Sequence, residues 1–96
     1  NMTEVVCVSY ESFIDNEWIT IVRFDTCHGG ILHRHVRQTA ADGKTYVTPT
    51  ITKKGLPRSK LHAWAVSEIT HGYWNFRNGF IRRCKNDPRL KGIDFI

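Results

Sequence analysis

Ninety-six residues with 41% hydrophobic content suit one folded domain, 1–96, with one modest core, and exclude a disordered chain or a two-core protein. The net charge of +5 is uneven: residues 1–30 hold one arginine against five acids, residues 31–96 thirteen lysines and arginines against four acids. Such a basic stretch attracts phosphate polymers, and it equally describes the surface of an ordinary basic protein.

Residues 4–13 are β-branched and aromatic and predict a first strand. Asp15-Asn16 is a turn. Residues 17–25 alternate, with Trp18, Thr20, Val22 and Phe24 on one face and Ile19, Ile21, Arg23 and Asp25 on the other. Both faces are partly apolar, so periodicity does not decide which is buried. Gly29-Gly30 supplies a reversal into a third strand over 31–38. A turn at 41–44 precedes a fourth strand from Thr45 to Thr52, confined to an edge or irregular role by Pro49. Ser59 is an expected N-cap for a helix over about 59–86. Its apolar stripe is Leu61, Ala65, Ile69, Gly72, Phe76, Phe80 and Cys84. Gly72 would let the helix approach the sheet closely, Gly79 is a place where it could break, and Asp87-Pro88 ends it. A short tail then packs back through Ile93, Phe95 and Ile96. The sum is an α+β fold of two layers: an antiparallel three- or four-stranded meander, strands within about 4–52, covered by one long C-terminal helix.

No apolar run is long enough to cross a bilayer, and no signal-peptide pattern opens the sequence. Three cysteines without C-x-x-C spacing fit a reducing cytoplasm better than a disulfide scaffold.

The segment from Arg23 to His35 gathers three of the five histidines with Asp25, Cys27 and two arginines. His33 and His35 are two apart on a strand and share a face, while Leu32 and Val36 form a core pair on the other. Arg23, Asp25 and His28 come within reach of them at one hairpin end. Three chemistries are open. In the first, acid–base catalysis on RNA without a metal, one histidine removes a 2′-hydroxyl proton, another protonates the leaving oxygen, and arginine steadies the phosphorane. In the second, His28, His33, His35 and Asp25 or Cys27 hold a metal, although the spacing matches no strong zinc signature, so no metal ligands or cofactor are assigned. In the third the cluster is structural, Asp25 capping turn amides in a non-enzymatic module that binds nucleic acid or a protein. Nothing establishes a base or an oxyanion hole for Cys27 as nucleophile.

The string Val22-Arg23-Phe24-Asp25-x-x-His28-Gly29-x-x-x-His33-Arg34-His35 resembles the V-R-[FY]-D-x-x-H-G-…-H-R-H signature of small prokaryotic proteins, TumE-type toxins of toxin–antitoxin modules among them. The resemblance covers roughly residues 17–38. It implies a small cytoplasmic toxin-like protein, held by an antitoxin partner and acting on RNA, with Arg23, Asp25, His28, Gly29, His33, Arg34 and His35 carried over.

Nucleic-acid contact is expected from Arg34, Arg37, Lys53, Lys54, Arg58, Arg82 and Arg83. The last two also complement the helix dipole. Trp64, Tyr73 and Trp74 flank the core stripe, filling out the helix face or offering bases a stacking surface. His62 and His71 are half a turn out of phase on the helix and cannot form a ligand pair.

Overall fold

A computed structural model describes residues 6–28, 31–50 and 56–93. Strands β1 (Cys7–Ile14), β2 (Glu17–His28), β3 (Ile31–Arg37) and β4 (Thr45–Pro49) form one antiparallel sheet in sequence order. A 3₁₀ turn (Arg58–Lys60) leads into α1 (Leu61–Lys85), and a second such turn spans Pro88–Leu90. This is the expected two-layer meander with one long C-terminal helix.

Asp15 and Asn16 close the first hairpin with φ of 52° and 65°. Two successive left-handed residues give the turn whose twist matches the flanking strands, and Asp and Asn tolerate that conformation. Along β2 the two-faced apolar pattern has a definite cause. Tyr10 pairs with Val22 and Glu11 with Thr20, so Ile21 is an extra residue, a β-bulge. The bulge shifts the alternation by one. Ile19 and Ile21 before it, and Val22 and Phe24 after it, therefore all face the helix and are buried. Trp18, Thr20, Arg23 and Asp25 face the other way.

The helical stripe packs as its spacing predicts. Phe80 and Cys84 join Ile14, Ile19, Ile21 and Leu90 in one core cluster; Ala65 joins Val6, Val22, Phe24 and Leu32 in another. Phe76 and Tyr10 pack against both. Val36 packs against the second, confirming Leu32 and Val36 as a helix-facing pair.

Several expectations need correction. Ser59 is not the N-cap of α1: it lies inside the 3₁₀ turn, and Lys60 occupies the cap without a side-chain bond. Pro57, with φ fixed at −69°, starts the turn and accepts from the Lys60 amide at 2.9 Å. Gly79 does not break the helix, which runs unbroken for 25 residues. A Cβ on Gly72 would meet the Phe76 ring at 3.2 Å, so the glycine makes room for a neighbour on its own helix rather than for the sheet. The fourth strand stops at Pro49, which cannot donate to a ladder. Ile93 packs against the core, whereas Phe95 and Ile96 lie outside the described residues.

The loop after β3 is fastened to the helix's C-terminal end. Arg83 donates to the carbonyls of Gln38 and Arg37 at 2.8 Å each, and the Ala40 amide donates to Cys84 Sγ at 3.3 Å. Arg89 bridges Asp87 (2.6 Å) and Asp42 (3.1 Å). The Arg89 guanidinium, then the Arg89 amide, lower the Asp87 pKa from 3.8 to about 2. A depressed carboxylate adds stability above its unfolded pKa and loses it as pH falls through the folded one. Asp87→Asn is therefore expected to flatten the fall in Tm between pH 4 and about 2, a region where wild type and variant can be compared by thermal melts.

Candidate functional site

The face of the sheet away from α1 is where the sequence concentrates its chemistry. Antiparallel register sets Arg23 opposite His35 and Asp25 opposite His33. With the period of two, Arg23, Asp25, His33, His35 and Arg37 project from this one face, with Val47 and Thr45 beside them on β4.

Asp25 is the centre. Its side chain is only 2% exposed although no helix covers that face, and His35 is 6% exposed. Oδ2 accepts from Arg23 Nε at 2.8 Å and stands 3.2 Å from His35 Nε2; Oδ1 accepts from the Cys27 amide at 3.3 Å. His35 stabilises the carboxylate by charge first and by hydrogen bonding second. Burial, the largest single influence, pushes the Asp25 pKa up. The Cys27 amide, the charge of His35 and the Arg23 bond outweigh it together and hold the carboxyl below its ordinary 3.8.

A second bulge explains why the Cys27 amide can turn to this carboxylate. Asp25 pairs with His33 and His28 with Ile31, so β2 carries one residue more than β3 between those pairs. On the far side of the bulge, Thr26 and Val6 are joined by Val6 N–H to Thr26 Oγ1 (3.0 Å) and Thr26 N–H to Val6 O (3.1 Å).

Arg23, with 45% of its side chain exposed, lines an open cleft of about 230 Å³ with His35, Arg37, Thr20, Thr45 and Gly43. Two guanidinium groups, an imidazole and two hydroxyls make this a surface suited to an anion. His33 is oriented by its own strand, Nδ1 lying 2.9 Å from Ile31 O; a carbonyl can only accept, so Nδ1 carries the proton there. Arg37 spends Nε on the Thr39 carbonyl at 3.0 Å and also lines the cleft.

A family model, that of the domain of unknown function DUF7718, matches residues 2–86. The chain belongs to that family. No curated protein and no solved structure matches it. The DUF7718 span takes in all four strands and the whole of α1, so both the Asp25 network and the basic end of the helix belong to the family's domain.

The other expected residues are dispersed. Arg34 faces the helix, its Cζ 6.0 Å over the Phe76 ring. Arg83 is half-buried and holds backbone carbonyls. Arg82 is exposed in the last turn of α1 and Arg58 lies before its first, about 36 Å away along the axis at 1.5 Å per residue. The His28 side chain, Gly29, Gly30, Lys53 and Lys54 lie outside the described residues. Among the described residues no three His, Cys, Asp or Glu side chains gather as metal ligands, and no helix is long and apolar enough to cross a membrane.

Sequence reading missed Thr20, Gly43 and Thr45 as cleft residues. Neither threonine had a local signal: strict alternation puts Thr20 on the face opposite Arg23, and only the bulge at Ile21 brings the two to one side. The place of Thr45 depends on pairing with Arg37, set by the length of the loop between them.

Proposed function

We propose that this DUF7718 protein is a toxin-like RNA-acting protein whose open sheet face grips the phosphodiester backbone and supplies acid–base groups to it. The observation that carries the reading is the Arg23–Asp25–His35 chain, a buried carboxylate holding a guanidinium and an imidazole at the edge of a cleft that Arg37 also lines. In this reading His35, oriented by Asp25, takes the 2′-hydroxyl proton and His33 returns one to the leaving 5′-oxygen. Arg23 and Arg37 stabilise the charge that develops on phosphorus. The resemblance around residues 17–38 adds an antitoxin partner that keeps the protein in check.

One further observation favours a non-enzymatic reading of the same residues. The Cys27 amide bonded to Asp25 Oδ1 is what a carboxylate does when it caps an irregular turn. In that reading the cleft binds nucleic acid without cutting it.

Expression of the protein should slow growth and fragment RNA, and His35→Ala should cut cleavage of purified RNA by about 10²- to 10⁴-fold, the usual worth of one acid–base group. His33→Ala should do likewise. Cleavage unchanged in both variants would sink the histidine mechanism. RNA bound but intact with the wild type would select the binding module, with affinity falling steeply as salt is raised.

A further inference from the structure

On the helix side of the sheet, a second cleft of about 230 Å³ opens between β4 and α1, and the Asp25 network takes no part in it. Its walls are Phe24, Arg34, Thr48, Pro49, Thr50, Trp64 and Glu68. Two of its polar atoms, Arg34 Nε and Thr50 Oγ1, are buried without a hydrogen-bond partner among the described residues. Buried orphans of this kind are costly, and two lining one cleft point to a ligand that satisfies them.

We infer that this cleft binds a guanine base. Its size, below the roughly 300–1,000 Å³ of sites for drug-sized ligands, suits a single heterocycle. The indole of Trp64 is set edge-on to Phe24, centroids 6.0 Å apart at 87°, which fixes a flat surface for stacking. The polar groups are segregated by layer. Arg34, on β3, is a donor on the sheet wall; Glu68, one helical turn from Trp64, is an acceptor on the helix wall. Guanine is segregated in the same sense, with acceptors O6 and N7 on one edge and donors N1–H and N2–H₂ on another. Adenine mixes a donor and an acceptor on each edge, and so satisfies only part of each wall. Thr50 Oγ–H adds a donor near Arg34. The inference deepens the RNA reading and rests on it for the strand that carries the base, which would pass the β4 edge between the two clefts.

The test compares short single-stranded oligouridines carrying one central guanine or one adenine, by fluorescence anisotropy, beside calorimetric titrations with free GMP and AMP. The wild type should prefer the guanine strand by about tenfold or more, the discrimination one good bidentate contact supplies. Glu68→Gln, at an exposed position, should erase the preference while leaving affinity for plain oligouridine unchanged. Arg34→Met should also erase it, with a Tm equal to or above that of the wild type, because an orphaned donor is replaced by an apolar chain of similar length. Preference retained in either variant would overturn the assignment. RNA bound without regard to guanine overturns the pocket and leaves the strand reading standing. GMP bound over AMP with no RNA binding keeps the pocket and overturns the strand reading, whereas neither ligand binding overturns both.

Discussion

Phe80→Ala is expected to cost about 3–5 kcal/mol, the range for truncating a fully buried aromatic ring. For a domain of this size, with a total stability on the order of 5–15 kcal/mol, that is a third of the whole or more. Phe80 has no exposed surface and sits among Ile14, Ile19, Ile21, Cys84 and Leu90. Those neighbours cannot close on the space it would leave. Ile21 is held by the bulge, Cys84 accepts the Ala40 amide, and Leu90 ends a 3₁₀ turn in which Asp87 accepts from the Arg89 amide. A chemical-denaturation midpoint displaced by the equivalent of less than about 1 kcal/mol would refute the packing described. Trp74→Ala is the control. That side chain is largely exposed and, among the described residues, stacks on Tyr73 and Arg77, so its loss should stay within about 0.5 kcal/mol.

The burial of Phe80 was readable from spacing alone, since it lies on the stripe; spacing leaves Trp74, beside the stripe, open between filling out the helix face and standing exposed. The strands, the Asp15-Asn16 turn and the shared face of His33 and His35 were legible for the same reason: each rests on a period of two or four, or on one turn's chemistry. What was not legible depends on contacts between distant segments. Ile19, Ile21, Val22 and Phe24 cannot share one parity, and only a bulge lets all four be buried; the apolar pattern carried that signal without locating it. The depth of Asp25 is another case. A residue on the uncovered face of a sheet is expected to be wet, yet Asp25 is buried, with Arg23 and His35 against its carboxylate. Arg83 looked like one more cation at a helix end, and its bonds to carbonyls 45 and 46 residues away are invisible to any local rule.

Asp25→Asn separates the structural from the chemical role of the site, because it keeps the shape and removes the charge. An amide at this position has one accepting oxygen, which can keep the Cys27 bond, and turns its NH₂ toward the Oδ2 side, where Arg23 Nε–H also donates. Two donors then face each other. Losing a charge-assisted bond of this kind is worth about 1–3 kcal/mol at neutral pH. The sign with pH follows from the carboxyl, whose folded pKa lies below 3.8. Its contribution is complete above the unfolded value and disappears as pH falls through the folded one, so wild type and Asp25→Asn should converge in Tm toward strongly acidic pH and diverge above pH 4. Activity should respond more sharply than stability. The carboxylate favours a proton on His35 Nε2, which lies 3.2 Å away, whereas the amide's NH₂ favours that nitrogen as an acceptor and moves the proton to Nδ1. Reversing the tautomer disables the ring as the base that the RNA reading requires, so cleavage should fall by about 10²- to 10⁴-fold in a protein that is still folded at 25 °C. A variant destabilised as expected that still cuts RNA at the wild-type rate would leave Asp25 a turn cap, and His35 without the partner that makes it a catalyst.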